Sequence, residues 1–141
     1  MKLDSELLEE LVEKNRKYLG KGHVATYIPA LAKVDPNQLG ASIYSLSENK
    51  LYSCGDCDSR FAIESISKVP SLILAILDNG LEKIFGQVGT EPSGFAFNSI
   101  MNMQINHKHK PSNPFINAGA IKIVSLIKGE NTNERSKRIL D

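Results

Sequence analysis

Residues 71–77, SLILAIL, are the most apolar stretch of the chain and contain no charged side chain. A surface helix keeps a polar face, so a helix apolar all round is expected to be buried on every side. The turn signal Asp78-Asn79-Gly80 ends this segment. Pro70 limits where it begins, because an interior proline removes an intrahelical bond and clashes with the preceding turn. Regular helix is therefore expected from about residue 70, with Ser65-Ile66-Ser67-Lys68 as a tighter 3₁₀-like turn ahead of it.

The remaining segments arrange themselves around that helix. Leu3, Leu7, Leu8, Leu11, Val12 and Tyr18 recur at helical spacing among Glu and Lys, which predicts an amphipathic helix over residues 4–19. Asp4 or Ser5 would cap it, and Gly20 and Gly22 would stop it. A short helix is expected at 27–33, ended by Asp35-Pro36-Asn37. Residues 41–46 and 51–53 read as two strands joined by the polar turn 47–50, a hairpin. Helices are predicted at 81–88 and 117–128, with loop between 89 and 114, where Pro92, Gly94, Pro111 and Pro114 lie. The last residues begin another helix, in which Ile139 and Leu140 are expected to be unpaired. The expected class is a mixed α/β (α+β) domain over residues 1–141.

Composition excludes several functions. A hydrophobic fraction of 41% and a charged fraction of 23% are those of a globular chain. Seventeen basic and 16 acidic residues give a net charge of +1, so there is no electrostatic case for nucleic acid or an anionic membrane. MKLDSELLEE is acidic and amphipathic, unlike a secretory leader, and no apolar run is long enough to span a bilayer. Two cysteines without a leader point to a reducing, cytoplasmic setting.

The strongest chemical candidate is ESISK, residues 64–68. A serine three residues before a lysine can be a nucleophile beside its own base. Three such spacings occur among 14 Ser and 13 Lys, where about one is expected by chance, so context decides. Ser47 and Lys50 fall in the hairpin turn, and Ser125 and Lys128 on the solvent edge of a predicted helix. Ser65 and Lys68 stand at the mouth of the apolar helix, where free N–H groups and partial desolvation favour a nucleophile and lower a lysine pKa. Locally, a capping serine beside a solvated lysine fits as well. Cys54-Gly55-Asp56-Cys57 follows a strand rather than opening a helix and lacks two further zinc ligands, so structural cysteines are expected. His107-Lys108-His109 reads as exposed loop.

Five stretches taken in order carry a resemblance. GKGHVATYIPALAKVDPNQLG, SCGDCDSRF, ESISK, VGTEPSGFAFN and NPFINAGAI resemble the serine-dependent glutaminases over residues 20–128. The resemblance implies a fold similar to the serine β-lactamases and transpeptidases, here an incomplete one with helices packed on a partial antiparallel sheet. It also implies hydrolysis of L-glutamine to L-glutamate and ammonia without a metal or organic cofactor. By the same resemblance Ser65 is the nucleophile and Lys68 its base, while Tyr27 and Asn117 contact substrate. Glu64 stands at a substrate-reaching position where glutamine is common in the family. An unpaired carboxylate there would repel the substrate's own carboxylate. The resemblance further implies homo-oligomers for the full-length family. It places a glutamate, a second asparagine, further tyrosines and the sheet-completing strands beyond residue 141. The expected alternatives are therefore an active glutaminase and a catalytically inactive, truncated glutaminase-like fragment or interaction remnant that binds a full-length subunit.

Overall fold

Asp4 starts the first helix: its carboxylate accepts the Leu7 N–H at 2.9 Å, and α1 runs Ser5–Arg16. The computed structural model describes residues 4–101, 104 and 109–141. These fall into two compact units, residues 1–62 and 63–141.

In the first unit the helix ends before residue 19, and Gly20 turns the chain with φ 74°. Strands β1 (Gly40–Ser45) and β2 (Lys50–Gly55) pair antiparallel, with Ile43 opposite Tyr52 and Ala41 opposite Cys54. This is the expected hairpin: both strands start one residue earlier, β1 ends one residue sooner and β2 two residues later. Alternation along β2 sends Tyr52 and Cys54 inward, where they meet Leu8 and Val12, one turn apart on α1. The helix expected at 27–33 is only a 3₁₀ turn, Leu31–Lys33. Pro29 lacks an N–H and restricts Ile28, which prevents a longer helix.

The second unit opens with a 3₁₀ turn, Glu64–Ser67, that runs into α2, Lys68–Asn79. The break foreseen from Pro70 is real but falls two residues earlier. Pro70 sits in the first turn of α2, where its missing N–H has no partner to lose. Gly80 (φ 82°) separates α2 from α3, Leu81–Gln87. Helix α4 runs Asn117–Leu126, and α5, Thr132–Leu140, is capped by the Asn131 side chain accepting the Glu134 N–H at 3.0 Å. Ala75, Ile84, Val88, Ile123 and Ile127 form the core, with Leu72, Leu74, Ile76, Leu126 and Ile139 around it. Ile139 is therefore paired, contrary to expectation, while Leu140 stays exposed. No helix among the described residues is long and apolar enough to cross a membrane.

Burial of α2 on every side does not hold. Ser71 and Ala75 are buried, but Val69, Ile73 and Leu77 expose 49%, 54% and 78% of their surface. Within this unit, helices α3, α4 and α5 pack on the other side of α2 and leave this stripe exposed.

The far end of α2 is locked by charge. Both oxygens of Asp78 accept from the Arg138 guanidinium at 2.7 Å, and Oδ2 also accepts the Lys128 N–H at 2.7 Å. Arg138 hydrogen bonds, helped by the Lys128 N–H and opposed by burial, hold the Asp78 carboxyl down to about 2 from 3.8. A lowered carboxylate pKa contributes stability that is complete above the unfolded value and lost as pH falls through the folded one. Arg138→Ala should lower the stability measured near neutral pH by thermal or urea unfolding. The gap between variant and parent should narrow as pH drops from 3.8 towards about 2.

Candidate active site

Ser65 lies exposed in the turn ahead of α2, and the Lys68 N–H donates to its carbonyl, which closes the 3₁₀ turn around the pair. Ser67 Oγ donates to the Glu64 carbonyl at 2.6 Å, and the Ile66 N–H donates to the Ile63 carbonyl at 3.0 Å. The strained link is Glu64, whose φ of 43° is left-handed, a conformation that costs a non-glycine residue ~1 kcal/mol or more. Its side chain is exposed. The Ser65 hydroxyl makes no hydrogen bond to another described residue, and the structure records none between it and Lys68.

The half-buried amine of Lys68 is placed by a different part of the chain. Nζ donates to the Phe115 carbonyl and to Asn117 Oδ1, each at 2.8 Å, and lies 5.6 Å from the centre of the Phe97 ring. The sequence NPFINAGA explains how those acceptors are held. Asn113 Oδ1 accepts the N–H groups of Phe115 and Ile116 at 3.0 and 3.1 Å, an Asx turn that aims the Phe115 carbonyl. Pro114 is buried beneath it. The Asn117 N–H donates to the Phe97 carbonyl at 2.8 Å, tying the start of α4 to the FAF segment. Gly119 lets α4 lie against this turn, because a Cβ there would come 1.8 Å from the Asn113 carbonyl oxygen.

Lys68 and Asn117 line one open cleft of about 430 Å³ with Ser67, Ser71, Ile121 and Val124. A larger hollow of about 900 Å³, lined by Gly89, His109, Lys110, Lys122 and Ser125 among others, contains none of Tyr27, Glu64, Ser65, Lys68 and Asn117. Of the sequence-derived set, Lys68 and Asn117 are brought into contact, and Ser65 is joined to Lys68 through the backbone. Tyr27 belongs to the first unit, where it is 74% exposed. The Phe115 carbonyl, Asn113 and the Phe97 ring were not singled out by residue type, although the run NP-x-x-N marked the place. His107 and Lys108 lie outside the described residues, and His109 is exposed. Cys54 is buried, which pushes its thiol up, and Cys57 is half-buried; both are free. Ser125 donates to the Lys122 carbonyl at 2.7 Å on an exposed face, so its spacing to Lys128 is incidental.

Comparison with known proteins follows the same residues. The glutaminase family profile matches residues 22–141. Glutaminase 1 of Clostridium perfringens is 77% identical over 134 residues, 95% of this chain and 44% of its own length. A Fusobacterium nucleatum glutaminase is 52% identical, over 96% of this chain and 44% of its own. Among solved structures, the probable glutaminase ybaS aligns with TM-score 0.85 at 40% identity, covering 98% of this chain and 45% of that one. A probable glutaminase from Bacillus subtilis, complexed with 6-diazo-5-oxo-L-norleucine, aligns with TM-score 0.78 at 33% identity over 99% and 41%. The chain thus spans less than half the length of the proteins it matches. The solved structures bear out the mixed α/β class with a partial antiparallel sheet.

The close approach at Gly119 has a measurable cost. Gly119→Ala should lower the unfolding free energy by ~2 kcal/mol through overpacking against the Asn113 carbonyl. Gly86→Ala on α3, where an added Cβ meets nothing within 4 Å, should be neutral or stabilising by thermal unfolding.

Proposed function

Because this chain belongs to the glutaminase family, we propose that it supplies the nucleophile-bearing part of an enzyme hydrolysing L-glutamine to L-glutamate and ammonia. Residues 1–141 belong to a single glutaminase-like domain. Ser65 Oγ attacks the side-chain carboxamide carbon while Lys68 Nζ takes its proton. Backbone N–H groups, that of Ser65 among them, stabilise the oxyanion. The carbon–nitrogen bond breaks as Lys68 returns the proton to nitrogen, and ammonia leaves a glutamyl ester on Ser65. Water, deprotonated by Lys68, cleaves that ester, and the proton goes back to Ser65 Oγ.

The observation that carries this reading is the clamp on Lys68. The Phe115 carbonyl and Asn117 Oδ1 each accept from Nζ at 2.8 Å and fix the amine at the mouth of the cleft, one helical position beyond the Ser65 turn. Asn117 spends only its oxygen on Lys68, and its amide N–H groups serve the substrate. Tyr27 and Glu64 complete the substrate contacts present in this chain. Glu64 lowers affinity for the substrate carboxylate unless it is itself paired. The open cleft and the span of less than half of the relatives favour a second reading, in which the chain alone is folded but silent.

Ammonia release from L-glutamine distinguishes the two. An active chain should lose at least ~10³-fold in kcat with Ser65→Ala or Lys68→Ala while keeping its fold. Absence of release from the intact, folded parent assigns the chain to the silent reading. The glutamine analogue 6-diazo-5-oxo-L-norleucine should label Ser65 with loss of dinitrogen, read by peptide mass spectrometry, and should not label Ser65→Ala.

A further inference from the structure

Ser65, Ser67 and Ser71 stand close together where the turn meets α2, and the glutaminase reading uses only the first. Ser71 is buried in the first turn of the helix and donates its hydroxyl to the Ser67 carbonyl at 2.8 Å. Ser67 stands at the N-cap of α2, where a serine commonly accepts an N–H of the first turn, yet it makes no such bond. Its hydroxyl is turned backwards instead, out of the helix, and donates to the Glu64 carbonyl at 2.6 Å. The two side chains form a ladder that starts in a buried helical turn and ends on the peptide just ahead of Ser65.

That peptide needs holding. Glu64 is left-handed at φ 43°, a conformation that a non-glycine residue keeps only where its surroundings fix it. The peptide joining Glu64 to Ser65 is planar and trans, so its carbonyl and its N–H point in opposite directions. A hydroxyl that fixes the carbonyl therefore aims the N–H as well. The carbonyls on either side, of Ile63 and Ser65, are engaged within the turn by the N–H groups of Ile66 and Lys68. The Ser65 N–H donates to none of the described residues, and it is the group assigned above to the oxyanion.

We infer that Ser67 is a positioning residue: its hydroxyl pins the Glu64 carbonyl and thereby presents the Ser65 N–H to the oxyanion of the reacting carboxamide. The inference rests on the glutaminase reading and adds to it a residue that acts through the backbone. A donor oriented in advance stabilises developing charge without reorganising at the moment of reaction. Without the Ser67 hydroxyl, Glu64 is free to return to negative φ, which swings the Ser65 N–H away.

Three variants of the full chain and two readouts test this. Ser67→Ala removes the hydroxyl. Ser67→Thr keeps it, since a helical threonine still reaches a carbonyl of the preceding turn. Ser67→Val matches threonine in shape without the hydroxyl, so the valine–threonine pair decides if the alanine variant does not fold. The first readout is nuclear magnetic resonance and needs no turnover. Positive φ brings the amide and α protons of one residue close together, so Glu64 of the parent should give a strong intraresidue Overhauser effect. Ser67→Ala and Ser67→Val should weaken it and shift the Ser65 amide resonance, whereas Ser67→Thr should retain both. A parent signal that persists in a folded variant lacking the hydroxyl overturns the inference. The second readout is ammonia release from L-glutamine. In an active chain, loss of the hydroxyl should lower kcat at least ~10-fold with KM unchanged, and Ser67→Thr should recover most of it. An unchanged kcat, or a loss carried by KM, also overturns the inference. A parent that releases no ammonia sinks the catalytic reading of this chain, and the Overhauser comparison still decides whether Ser67 aims the Ser65 N–H.

Discussion

Helix α2 is tied to α4 at both of its ends, and the site depends on that double attachment. At the front, Lys68 reaches across to the Phe115 carbonyl and Asn117. At the back, Asn79 Nδ2 donates to the Leu126 carbonyl at 2.8 Å, and Asp78 accepts the Lys128 N–H beside Arg138. Between the two ties, Ala75, Ile123 and Ile127 exclude water. Each tie is worth only ~1–3 kcal/mol, but together with the core they fix the rotation and sliding of one helix on the other. A lysine at the first position of α2 is thereby held to within hydrogen-bond tolerance of its acceptors, while the serine stays exposed on the turn ahead of it.

Much of this was legible in the chain. The amphipathic α1 with Asp4 ahead of it, the hairpin, the glycine stops and the 3₁₀ turn before an apolar helix follow from short-range rules of capping, alternation and proline geometry. The pairing of Lys68 with Asn117 joins residues 49 positions apart. No local pattern predicts such a contact, and only the likeness of whole motifs to a family pointed at both residues. The role of the Phe115 carbonyl was invisible for a different reason. A backbone acceptor carries no residue identity, and the only trace it leaves is Asn113, which aims it.

Where expectation failed, the failure is informative. Pro29 shortened a helix that periodicity alone would have allowed. Ile139, taken as unpaired, finds the core because Asn131 and the Asp78–Arg138 pair set the direction of α5. The open stripe on α2 is a failure of another kind. Composition alone does not fix which faces of a helix are covered, and the described residues leave Val69, Ile73 and Leu77 exposed.

The left-handed backbone at Glu64 also bears on which sequences this turn tolerates. Before any question of chemistry arises, the position immediately ahead of Ser65 filters side chains by shape. Valine, isoleucine and threonine carry two heavy atoms on Cβ and are genuine outliers at positive φ, whereas glycine and asparagine enter it readily. Saturation of this position would therefore return a narrow repertoire of unbranched or short polar residues. The selection would come first from the main chain and only then from the chemistry it serves.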